Sequence, residues 1–311
     1  MHLAIAYDGS ESAAAAIDAA AKEFPGARAT VLTARAQTSV TAGMAGVAVS
    51  TLSPELVQRT LDEIDGAEAD EAGRTAGEGV ARARAGGLDA TALTTRTNPP
   101  IWRALLSTTR DVGADVLVTG TRGRSGLART LLGSTAARLL HHADLPLMIV
   151  PDGVAGALDG PALLAYDGSA DAKHAVEVAG PLLVGREVIV AHAWESQYRH
   201  SLTARALGRG PVDDLTEIVA SLEQALADHA NSILADGVAA ARDAGLTATG
   251  RVFESDAGVS RTLLAAAAEV GAGLLVTGSR GIGGARSALL GSVSSGLIHN
   301  ADVPVLVVPA A

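Results

Sequence analysis

Four positions recur twice along this chain in a spacing that suits an anion. Gly120, Gly123 and Gly133-Ser134 follow the pattern G-x2-G-x9-G-S, and Gly278, Gly281 and Gly291-Ser292 repeat it unchanged. Glycine at the end of a strand lets the backbone turn sharply and brings amides to a ligand with no side chain between. Nine residues on, Gly-Ser opens a helix, whose first amides have no intrahelical partner and whose dipole end attracts negative charge. The serine there is placed to cap the helix or to donate its hydroxyl. Arg122 and Arg124 in the first copy, and Arg280 in the second, are cations suited to a phosphate. The chemistry is that of a phosphate cradle made without lysine. Lysine occurs only at Lys22 and Lys173, and neither completes a P-loop. A plainer reading has the glycines turning strand into helix, with Ser134 and Ser292 as ordinary N-caps; two copies of identical spacing weigh against it.

Catalytic constellations are missing from the pattern. No Ser, His and Asp fall in a recognisable order, and no carboxylate pair or activated nucleophile stands out. His141 and His142 are adjacent on a predicted helix, so they point about 100° apart and do not share one ion readily. Asp8 and Asp167 end the first strand of each half. Magnesium binding alongside phosphates and plain hydrogen bonding, to a ligand or to the helix end, are both open to them. Zero cysteines exclude thiolate metal sites, iron–sulfur clusters and cysteine nucleophiles.

The elements that position these residues come in two sets. LAIAYDGS (3–10) and LLAYDGSA (163–170) place Asp8 and Asp167 at matching positions 159 apart, and the glycine blocks match at an offset of 158. The chain is therefore a tandem repeat, with domains expected at 1–151 and 162–311 and a Gly-rich linker at 152–161. Within the first half, periodicity predicts strands at 3–8, 30–36, 90–96, 116–120 and 146–150. Helices are expected from about Ser10 to Glu23, Pro54 to Ala85, 99 to 112 and Ser134 to His141. The second half repeats this with strands near 162–167, 187–194, 247–254, 274–278 and 304–308. Continuous aliphatic strands alternating with helices imply βαβ crossovers and a parallel sheet covered on both faces. Ligands of such sheets bind beyond the carboxyl ends of the strands, where Asp8, Gly120, Asp167 and Gly278 lie. Segments 37–53 and 196–211 read as loops, with lids or partner contacts as their candidate roles.

Composition limits the partners. A net charge of -10 and seven aromatic residues in 311 oppose nucleic-acid binding, which needs basic surface and stacking platforms. No apolar run reaches the 18 or more residues of a membrane helix, and the first residues do not read as a signal peptide. A cytoplasmic protein with no membrane partner is the expectation.

The opening AYDGS, the paired glycine signature and the HxADxPxxxVP ending of each half together resemble the universal stress protein family, in its tandem, ATP-binding branch. The resemblance covers essentially the whole chain. It implies an α/β fold of two tandem Rossmann-like (adenine nucleotide alpha hydrolase-like) domains, each a five-stranded parallel sheet of order 3-2-1-4-5. It also implies ATP, with Mg2+ optional, as the ligand of each half. Asp8, Gly120, Arg122, Gly123, Gly133, Ser134 and Thr135 would hold one ATP, and Asp167, Gly278, Arg280, Gly281, Gly291 and Ser292 a second. The backbone at Ala36 and Ala193 would face adenine. Ser294 supplies a hydroxyl that some members place near the site, whereas Ala136 does not. Pairing of the last strands into an internal pseudo-dimer, with further homodimerisation, is implied as well. The expected role is a nucleotide-dependent regulator of stress response; a slow ATPase and a nucleotide-free scaffold are the alternatives.

Overall fold

The computed structural model describes residues 1–36, 53–97, 100–123, 132–154, 158–195, 213–255, 258–281 and 290–310. The loops expected at 37–53 and 196–211 lie outside these residues, apart from Ser53. Two compact units, Met1–Ala155 and Gly156–Ala311, divide the chain.

In the first unit the elements are β1 (His2–Ala6), α1 (Glu11–Glu23), β2 (Arg28–Ala36), α2 (Pro54–Ala85) and β3 (Asp89–Thr97), then α3 (Ile101–Asp111), β4 (Val116–Gly120), α4 (Ser134–His142) and β5 (Leu147–Val150). The second unit repeats the plan. It runs β6 (Ala162–Ala165), α5 (Ala170–Ala179), β7 (Glu187–Glu195), α6 (Asp213–Asp243), β8 (Thr247–Ser255), α7 (Val259–Glu269), β9 (Leu274–Gly278), α8 (Ser292–Asn300) and β10 (Val305–Val308), with a short 3-10 turn at Gly180–Leu182.

Every strand pair within a unit is parallel. β1 pairs with β2 and β4, β2 with β3, and β4 with β5, which gives the order 3-2-1-4-5. The second unit has the same order, β8-β7-β6-β9-β10. Both units are thus the expected α/β sheets. Right-handed crossovers put α1 and α2 on one face and α3 and α4 on the other, and each of these pairs is in contact. Leu3, Ile5, Leu117, Met148 and Ile149 are almost fully buried, as are Leu163, Leu164 and Leu274 in the second unit. Each such side chain contributes roughly 1.5–3 kcal/mol of burial. With so few rings, the sheets are covered largely by alanine, which lets helices approach closely.

β1 stops at Ala6, two residues before its expected end. The cause is local: Gly9 adopts φ 83°, and the Asp8 carboxylate accepts from Ser10 N at 3.0 Å. Ser10 in turn caps α1 by accepting from Ala13 N at 3.2 Å. Gly168, Asp167, Ser169 and Ala172 reproduce this turn, with φ 80° and bonds of 3.0 and 3.1 Å.

Candidate functional site

β1 and β4 are neighbours in the middle of the first sheet, and the chain leaves their ends towards opposite faces. A cavity of about 230 Å³ opens there. Its apolar wall is Ala6, Leu32 and Ala34 from the sheet with Ile101 and Leu105 from α3; Asp8, Gly120 to Gly123 and Gly133 to Ala136 form the polar side. The volume lies below the about 300–1,000 Å³ typical of drug-sized ligands.

The glycines are fixed by close approach. A Cβ on Gly120 would meet Ser12 Oγ, and would lie 2.6 Å from Ser12 O. One on Gly123 would lie 2.7 Å from Asp8 Oδ2, and one on Gly281 would lie 2.5 Å from Asp167 Oδ2. A side chain at Gly123 or Gly281 would therefore fill the space beside the carboxylate in either half. Gly120 answers to close packing of β4 against α1, a demand neither reading of the motif foresaw; Gly123 and Gly281 keep a gap beside a charged group.

Gly133 N donates to Thr121 O at 2.7 Å, and Gly291 N donates to Ser279 O at 2.8 Å. These bonds close each long loop at its base. The helices begin at Ser134 and Ser292, with Gly133 and Gly291 as the N-caps, so the serines are first-turn residues instead of caps. Neither cap supplies a side-chain hydrogen bond, in contrast to Ser10 and Ser169. The first-turn amides of α4 and α8 thus have no side-chain cap, and Ser134, Thr135 and Ala136 of that turn in α4 line the cavity.

Other expected residues fall in different places. Ala36 ends β2 on the same face as Leu32 and Ala34, one step beyond the residues that line the cavity. Ala193 does not hold the matching place in β7: Tyr7 N donates to Leu32 O and Tyr166 N to Ala191 O, so Ala193 matches Ala34 and the strand-end residue matching Ala36 is Glu195. Ser294 is buried, and its hydroxyl donates to Gly278 O at 2.7 Å. Its one proton is thus engaged with the strand. Arg122 forms an ion pair with Asp152, whereas Arg280 makes no such pair among the described residues. Arg124 lies outside those residues.

Two participants were not anticipated. Ser12 Oγ accepts from Arg122 N at 3.2 Å and so fixes the start of the loop on α1. Asp152 accepts from Thr121 Oγ1 at 3.2 Å as well as pairing with Arg122. The available signal was the difference between the two halves, since Ser12 aligns with Asp171 and Asp152 with Ala310. Next to the carboxylates, burial pushes the Tyr7 and Tyr166 phenols up from their ordinary value, so both stay neutral. Trp102 of α3 stacks on His142 of α4 with ring centroids 4.3 Å apart, tying together the two helices that frame the cavity.

Among the described residues, no cluster of three or more His, Asp or Glu could hold a metal ion, and no helix is long and apolar enough to cross a membrane.

Residues 1–151 and 160–309 each match the profile of the Universal stress protein family. The universal stress protein Rv2005c of Mycobacterium tuberculosis is 32% identical over 199 residues, covering 62% of this chain and 61% of that protein. The chain thus spans about three fifths of the length of that relative. A crystal structure of a universal stress protein from Archaeoglobus fulgidus shares the fold, with a TM-score of 0.62 at 21% identity, covering 100% of this chain and 98% of that one. A universal stress protein in complex with cAMP is 23% identical, with a TM-score of 0.34 and coverage of 49% of this chain and 98% of that one. With both halves matched, the chain belongs to the Universal stress protein family and carries two of its domains in tandem.

Proposed function

We propose that this protein binds ATP, one molecule per half, and acts as a nucleotide-dependent regulator in a stress response. The observation that carries the reading is the first-half cavity, where an aliphatic wall meets Asp8 and the uncapped amino end of α4. Such a space suits a base held by aliphatic surface, a ribose at a carboxylate and phosphates at backbone amides. Residues Asp8, Gly120, Gly123, Gly133, Ser134 and Thr135 would hold the first nucleotide. In the second half, Asp167, Gly278, Arg280, Gly281, Gly291 and Ser292 repeat the arrangement. Among the described residues of the site none is placed as a general base, and regulation is the reading favoured over turnover. A cytoplasmic location, an internal pseudo-dimer of the halves and a homodimer of the chain belong to the same proposal.

Mass spectrometry of gently purified protein, with equilibrium dialysis against ATP and cAMP, tests the reading. Two ATP per chain, lost in Gly123→Val with Gly281→Val, is the expected result. Prompt release of ADP turns the reading to a slow ATPase. Absence of any nucleotide, with those variants affecting only stability, leaves an interaction scaffold.

A further inference from the structure

The two halves differ in one charged contact at the phosphate loop. Thr121 N donates to Val150 O at 3.1 Å, and Ser279 N donates to Val308 O at 2.7 Å. This shared ladder brings the second residue beyond the last strand next to the loop in each unit. In the second unit that residue is Ala310, whose amide donates to Ser279 Oγ at 3.0 Å. In the first it is Asp152, which accepts from Thr121 Oγ1 at 3.2 Å and pairs with Arg122. The second unit builds the same loop base with an alanine, so the architecture does not require a carboxylate there.

Asp152 is a poor neighbour for a polyanion. Its pair with Arg122 is largely shielded, with side chains 23% and 27% exposed. A phosphate arriving at this loop meets a cation already engaged, and a negative charge beside it. At the matching place in the second half, Arg280 has no carboxylate among the described residues.

We propose that Asp152 is an internal competitor for the first phosphate site, holding Arg122 until a nucleotide phosphate takes its place. The proposal rests on the nucleotide reading above and assigns the two sites unequal affinity, the first being the weaker.

Equilibrium dialysis with ATP on the full chain tests this. Gly281→Val isolates the first site and Gly123→Val the second. Asp152→Asn keeps an acceptor for Thr121 while removing the charge. In the Gly281→Val background it should tighten ATP binding about two- to fivefold, the range expected for such an ion pair. In the Gly123→Val background it should leave binding unchanged. Adding Arg122→Ala should abolish the gain, because the carboxylate acts through that guanidinium. The gain should also shrink in high salt. First-site affinity that is unchanged or weaker in Asp152→Asn, while the parent binds ATP, overturns the competition and leaves the nucleotide reading intact. Failure of the unsubstituted chain to bind ATP in either half overturns both.

Discussion

Replacing Gly120 with alanine isolates the packing cost of the first glycine of the loop. The added Cβ would lie 2.6 Å from Ser12 O and 2.7 Å from Ser12 C, both backbone atoms in the first turn of α1. Backbone cannot swing aside, so β4 and α1 must separate. Overpacking of this kind costs about 1–3 kcal/mol, and reduced freedom of the unfolded chain returns about 0.4–1 kcal/mol. The net loss is about 1–2 kcal/mol, which for a unit of this size lowers the melting temperature by about 2–8 °C. Gly278→Ala in the second unit is the control, because its Cβ would meet Asp171 O at 3.1 Å and Arg280 O at 3.3 Å. That contact is tight but short of a collision, and the expected change is under about 2 °C. Differential scanning calorimetry would measure both variants. Trp102 and Trp194, the only tryptophans and one in each unit, assign each transition by fluorescence. Equal losses in the two variants, or none in Gly120→Ala, would refute the argument from close approach.

The remaining predictions concern single side chains. His2 is buried, and desolvation, followed by the nearby Arg28 charge, holds its pKa below the ordinary 6.5. The folded unit favours neutral imidazole while the unfolded chain protonates near pH 6.5. Stability of the first unit is therefore complete above that pH and falls as pH drops from 6.5 towards the folded value. Melting curves from pH 8 to 5.5 should be flatter in His2→Gln; parallel profiles would count against this account. Ser294→Ala should destabilise the second unit by about 0.5–1.5 kcal/mol through loss of the bond to Gly278 O, with ATP affinity within about twofold; a large loss of binding would return Ser294 to the ligand. Tyr166 is 2% exposed, and its hydroxyl has no hydrogen-bond partner among the described residues. Tyr166→Phe should leave urea stability of the second unit unchanged or raise it by up to about 1 kcal/mol, and a clear loss would reveal a partner.

Much of this architecture was legible because it is local and repeated. The aliphatic runs VLVTG and LLVTG became β4 and β9, and the DGS turns became tight caps because Asp, Gly and Ser each act within two or three residues. The glycine spacing located the loops in the same way. Residues that act across the fold were harder to read. Ser12 reaches Arg122 over 110 positions, and in sequence it reads only as part of a helix start. Asp152 stands in a stretch read as linker, where a single acid carries no period or motif. Ser134 and Ser292 were open to capping or to donating their hydroxyls, and each helix begins one residue earlier than a serine cap requires, with Gly133 and Gly291 at the cap. Ser294 has a hydroxyl with two possible directions, and only the nearby Gly278 carbonyl decides between them.

The bonds that close the loops, Gly133 N to Thr121 O and Gly291 N to Ser279 O, have a consequence for how the molecule can be altered. Each joins the two ends of an excursion of eleven residues, 122–132 or 280–290, through backbone atoms alone. Its contents can therefore change without breaking this closing bond, and loop-closure entropy varies only slowly with length. Each excursion is a cassette with standard fittings. Transplanting the arginine-rich stretch of the first half into the second would alter the charge presented to a ligand while leaving both sheets as they are.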